Sequence, residues 1–93
     1  LETYVIGRID RARADNGDIG GVIERLSPVG YQFKTEPGGY EFSKVGRVES
    51  VVTEMVPVCE DHGLDVEDFS MVEHRKSDGS ERSRYEQGKI LRR

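Results

Sequence analysis

Tyr31-Gln32-Phe33-Lys34-Thr35-Glu36-Pro37-Gly38-Gly39-Tyr40-Glu41-Phe42-Ser43-Lys44 alternates aromatic and polar residues on both sides of a Pro-Gly-Gly turn. That period of two is the mark of a half-buried hairpin. Pro37 has no N–H to donate, so it suits the second position of a turn starting at Glu36 better than the closing position of a two-residue loop. A four-residue loop, Pro37 to Tyr40, pairs Glu36 with Glu41, Thr35 with Phe42 and Phe33 with Lys44. Tyr31, Phe33 and Phe42 then share one buried face with Tyr40 at its edge, and Gln32, Lys34, Glu41 and Ser43 share the other. A three-residue loop would split the aromatics between the faces, which a one-sided core does not permit.

On the N-terminal side, Leu1, Val5, Ile9 and Ala12 fit a helical stripe. Tyr4-Val5-Ile6 favours a strand, however, and Gly7 costs a helix interior about 1 kcal/mol. The reading adopted is a strand over Thr3–Ile9. Asp15-Asn16-Gly17-Asp18 is a turn, and Asp18 is placed to cap a short helix reaching Leu26. On the C-terminal side, Val48, Val51, Val52, Met55 and Cys59 recur at helical spacing, which predicts a helix from Arg47 to His62. Pro57 should kink it and Gly63 should end it. A strand over Phe69–Lys76, a turn at Ser77-Asp78-Gly79-Ser80 and a last edge strand within Glu81–Leu91 complete the chain.

The order is that of an α+β fold, a ferredoxin-like βαββαβ sandwich with an extra C-terminal edge strand. The alternative is a winged helix with the 31–44 hairpin as wing. It needs a helix over residues 1–14 and lacks one of the usual three. Ninety-three residues make a single domain, 1–93, with 77–93 as a basic C-terminal hairpin strand or tail.

With 34% hydrophobic and 34% charged residues, the chain has no apolar run near the ~20 residues of a membrane span, and nothing at Leu1 reads as a signal peptide. No membrane association is expected. The single cysteine, Cys59, favours a reducing, cytoplasmic setting. The net charge of −4 hides an asymmetry: residues 75–93 hold seven of the fourteen bases and three of the eighteen acids.

Several patterns invite a chemical reading. Cys59 and His62, three apart, could share a metal with His74, but metal sites need three or four convergent ligands. Asp61, Asp65, Glu67, Asp68 and Glu73 form an acidic cluster without calcium-loop spacing. Gly17-Asp18-Ile19-Gly20-Gly21 could present N–H groups to a ligand, though Asp18 would repel an anion and packing explains the glycines as well. Tyr31, Phe33, Tyr40 and Phe42 could stack bases, but they supply too much of the available core to be spared. No nucleophile–base arrangement is evident, so no enzyme, metal or cofactor is expected.

The basic end is the least ordinary feature. Arg75, Arg82, Arg84 and Lys89 are the candidate binding residues, with Arg82 and Arg84, two apart on a strand, expected to project from one face. The expected function is a small non-catalytic binding or regulatory domain acting through a protein partner or as a homo-oligomer. The alternative is a nucleic-acid-binding module, weakened by the acidic body.

Overall fold

Thr3, Val5, Gly7 and Ile9 are buried, while Tyr4, Ile6, Arg8 and Asp10 between them are less covered or exposed. This alternation makes Thr3–Asp10 a strand, β1, and rules out the helix that a winged-helix fold requires. The computed structural model describes residues 2–93; Leu1, counted in the helical stripe above, lies outside them. After β1 come α1 (Arg11–Asp15), α2 (Ile19–Leu26), β2 (Gln32–Glu36), β3 (Gly39–Val45), α3 (Val48–Asp61), β4 (Ser70–Arg75), β5 (Glu81–Glu86) and β6 (Lys89–Arg92). Six antiparallel strands form one sheet in the order β2-β3-β1-β4-β5-β6, with three α-helices.

The hairpin keeps its faces but not its loop. Phe33 lies opposite Phe42, Thr35 opposite Tyr40 and Glu36 opposite Gly39, so only Pro37 and Gly38 form the loop. The expected four-residue loop is therefore corrected to two, a slip of two residues in register, and a slip of two leaves every side chain on its own face. Pro37 is tolerated because its fixed φ suits the first loop position and an edge strand asks no ladder bond of it. Gly39 closes the turn at φ +148°, where other residues are strained. The expected Glu36–Glu41 repulsion is also relieved: Arg8 of β1 pairs with Glu36 and lies 3.6 Å from Glu41.

The C-terminal segment is two strands rather than one. Gln87 and Gly88 both take positive φ, +50° and +80°, as a two-residue type I′ turn requires. Gln is not a residue that advertises such a turn, which is why the extra hairpin was not legible. α1 was likewise unexpected, within what read as a strand end and turn. In α2 the Asp18 carboxylate accepts the Gly21 N–H at 3.1 Å, as expected of its cap.

α3 runs through Pro57 to Asp61 and ends at Gly63, whose φ is +76°. The Leu64 N–H donates to the Cys59 carbonyl (2.8 Å) and the Gly63 N–H to that of Glu60 (3.3 Å), a Schellman closure. Its accompanying contact is apolar, since Cys59 and Leu64 are both buried.

All helices lie on the face of the sheet that carries Val5, Ile9, Phe42, Met71 and Tyr85, and with these strand residues Val22, Leu26, Val48, Val51, Met55 and Cys59 form one core. Aromatic rings run through it, with Phe42 at 5.9 Å from Phe33, 6.5 Å from Tyr31 and 6.3 Å from Phe69. Phe42 is 1% exposed, but Phe33 is only partly covered, because β2 is the outermost strand on its side. The expectation that both would be buried holds for Phe42 alone.

Phe42→Ala should therefore cost about 3–5 kcal/mol in urea unfolding and Phe33→Ala under about 2 kcal/mol. Equal losses would contradict the edge position of Phe33. Burial pushes the Cys59 thiol up to about 12, and burial with the Glu54 carboxylate raises the Tyr31 phenol above its ordinary value. Groups held neutral by folding contribute stability that is full below their unfolded values, about 8.5 and 10, and is lost as pH rises above them. Cys59 should react with a thiol reagent only as fast as the chain unfolds, and that rate should climb above about pH 9.

Candidate functional site

Because the helices take the face of Val5, Gly7 and Ile9, the other face of β1 presents Tyr4, Ile6 and Arg8 to solvent. Cross-strand register extends each of these into a row. Tyr4 sits between Val45 and His74, Ile6 between Ser43 and Val72, and Arg8 between Glu41 and Ser70. Beyond them, Val72 is followed by Arg84 and Leu91, and Ser70 by Glu86 and Lys89. The middle row is the apolar one. Val45 and Leu91, at 49% and 52% exposure, are among the most exposed large apolar side chains.

Tyr4 and His74 stack at 5.1 Å with planes 20° apart, so each ring turns a face to the other. His74 Nδ1 lies 3.2 Å from the Gly79 carbonyl, which can only accept, so this nitrogen carries the proton. The third row is a rail of alternating charge. Lys34 lies 3.3 Å from Glu41, Arg8 bridges Glu41 and Glu36, and Arg84 lies 3.8 Å from Glu86.

Of the four candidate basic residues, the open face gathers Arg84 and Lys89 only. Arg84 forks onto Glu81 at 2.9 and 3.0 Å. With Arg93 on the same carboxylate at 2.9 Å, Arg84 holds Glu81 below the usual carboxylate range. Arg82 goes the other way. The β4–β5 register shifts between Glu73 and His74, leaving Arg82 as the additional residue, and its Nε approaches Glu73 Oε2 at 3.9 Å on the helix side. This bulge overturns the expectation that Arg82 and Arg84 share a face. Arg75 lies opposite Thr3, in register with the helix-side positions. Arg92 pairs with Glu49 of α3. Among the described residues, then, four of the seven bases in the C-terminal segment are held by acids of the same chain.

The other constellations disperse. Cys59 is in the core, His62 Nδ1 lies 3.1 Å from Asp18 Oδ2, and His74 is on the open face. Asp61 binds Arg25 (2.8 Å), Asp65 accepts the Glu67 N–H (2.9 Å), and Asp68 lies 3.6 Å from Arg13. The Gly17–Gly21 stretch abuts the end of α3. The Asp18 N–H donates to the His62 carbonyl at 2.7 Å, and a methyl on Gly21 would collide with the His62 ring. Those glycines serve packing. A shallow groove of about 640 Å³ lies between the end of β3 and α3, lined by Lys44, Arg47, Glu49, Ser50 and Thr53 among others. Its Lys44 is tied to the Val29 carbonyl and its Glu49 to Arg92.

Glu73 is the residue that sequence reasoning misplaced. It is 1% exposed, and its Oε1 accepts the Val48 N–H, the first of α3, at 2.8 Å. The signal was present: Met71 and Glu73 share strand parity, and Arg47 before α3 has no side chain suited to capping. The carboxylate of β4 supplies the missing acceptor.

Comparison with known proteins finds no match: no protein family, no curated relative and no solved structure is significantly similar to the chain.

Glu73→Ala should cost about 2–4 kcal/mol in chemical denaturation, because it orphans a buried N–H and leaves Arg82 without its acid. Arg82→Glu should lower the melting temperature and Arg84→Glu should lower it less, since only the first sets a like charge beside a buried carboxylate. Asp18 is lowered by the Gly21 N–H and by His62, Glu49 by Arg92 and Glu81 by Arg84. Depressed carboxylates contribute stability that is full above their unfolded values, about 4, and lost as pH falls through the lowered folded values. The melting temperature should therefore hold down to about pH 5 and fall below about pH 4.

Proposed function

We propose that the protein is a small non-catalytic binding domain acting through protein–protein contact, and that the uncovered face of its sheet is the contacting surface. The observation that carries the reading is the row Ile6, Val72 and Leu91, flanked by Tyr4 and Val45, left without a covering layer while three helices crowd the opposite face. Apolar groups gathered on a face rimmed by charges mark interaction surfaces more often than apolar groups scattered singly. We read the fold as a ferredoxin-like sandwich extended by a C-terminal hairpin, which the order β2-β3-β1-β4 with helices after β1 and β3 supports. A reducing, cytoplasmic setting fits a lone, buried thiol.

The proposal moves the contact from the basic hairpin alone to the whole face. Arg84 and Lys89 remain in it, and Arg75 and Arg82 do not. A nucleic-acid role has less support, since stacked Tyr4 and His74 each spend one ring face on the other and most of the C-terminal arginines already hold acids.

The test is a double variant, Ile6→Lys with Val72→Lys, compared with wild type by chemical cross-linking in the native cell. The wild type should give a discrete adduct that the variant loses while keeping its circular dichroism spectrum. An adduct that survives the double variant would move the contact elsewhere. Anisotropy of a labelled single strand, measured from about 50 to 200 mM salt, should show no binding.

A further inference from the structure

We infer that a second copy of this chain covers the open sheet face, packed about a two-fold axis that runs across the strands along the Ile6–Val72 row. The inference rests on the reading of that face as the contact surface and names its occupant. Charge argues first. The chain carries a net −4, yet on this face Arg8, Lys34, Arg84 and Lys89 balance Glu36, Glu41, Glu81 and Glu86. A polyanion needs net positive charge, and a basic partner would be drawn to the acidic surface elsewhere. A neutral face is the surface on which two acidic copies can meet without mutual repulsion.

Symmetry then selects the axis. A two-fold along the strands, through the middle of the sheet between β1 and β4, sets Lys34 against the partner's Lys89 and Glu41 against the partner's Glu86. Like charges face like, at a cost. A two-fold across the strands keeps each strand over its own copy and exchanges the first and third rows. Ile6 and Val72 then meet their own counterparts on the axis. Arg8 comes over the partner's Tyr4, where a guanidinium and an aromatic ring attract. Ser70 comes over the partner's His74, whose Nε2 is left to accept because Nδ1 is committed to Gly79. Two sheets stacked in this way pack at about −30° with their inner side chains interleaved.

Size permits it. Six strands at ~4.8 Å spacing and ~17–20 Å long give roughly 450 Å² in plan. Side-chain relief raises that toward the ~800 Å² per partner of a standard interface.

The deciding experiment places a photoreactive phenylalanine analogue at position 72 of the full chain, irradiated in the native cell and again after purification. A product of twice the chain's mass in both settings, with sedimentation of the unlabelled wild type as a dimer, is the expected result. Leu91→Lys, further from the axis, should weaken the dimer at least tenfold while leaving the melting profile of the monomer intact. A cellular adduct with a different protein, alongside a monomeric purified chain, would overturn the second copy and leave the face as a contact surface. No adduct in the cell and a monomer in solution would overturn both.

Discussion

The hydrogen bond from the Val48 N–H to buried Glu73 is the contact on which the placement of α3, and through α3 the rest of the helical layer, depends. It ties the start of the longest helix to the middle of β4. Thr3 of β1 assists by donating its hydroxyl to the Gly46 carbonyl at 2.7 Å, so two buried polar groups of the sheet fix the crossover from β3 to α3. The helix pointed from this anchor delivers His62 and Gly63 to the cap of α2, where Asp18 receives them. A lone buried carboxylate would be costly, but a helix N-terminus, an N–H and a nearby guanidinium compensate it from three directions. The core then fills the space that this polar frame leaves.

Much of this frame was legible and part was not, for identifiable reasons. Strand periodicity of two in Thr3–Ile9 and in the 31–44 hairpin survived because it depends only on which face is wet. The caps of α2 and α3 survived because Asp18 and Gly63 act locally. The loop at Pro37-Gly38 and the turn at Gln87-Gly88 were misjudged because the turn residues were weighed without their surroundings. Pro37 is acceptable on an edge strand, and Gln87 is carried into positive φ by the pairing of β5 with β6. Glu73 escaped because its partner lies 25 residues away, and no local pattern records such a bond.

The binding surface shows the same division. Counting charge along the chain made the last nineteen residues look like a free basic patch, but charge is balanced in space. Glu49 and Glu81, distant from or interleaved with those bases, hold Arg92, Arg84 and Arg93. A single extra residue in β5 sends Arg82 to the helix side and keeps Arg84 outside. The open face could not be read from composition because its character comes from register, which sets Tyr4 beside His74 and Ile6 beside Val72 across 70 and 66 positions of chain.

The two tight turns have a further effect at the margins of the sheet. In a two-residue hairpin the flanking pair is hydrogen-bonded inward, and inward and outward residues alternate from there. Starting from Glu36–Gly39 and Glu86–Lys89, only Phe33 and Thr35 of β2 and only Ile90 and Arg92 of β6 direct backbone groups outward. Each margin thus offers a foreign strand two residues of unpaired backbone, and on β6 these are interspersed with Lys89 and Arg92. Propagation of the sheet from molecule to molecule, the route to filaments and insoluble deposits, has almost nothing to start from. Growth sideways is blocked at both ends by chain geometry, and association is left to surfaces that close on themselves.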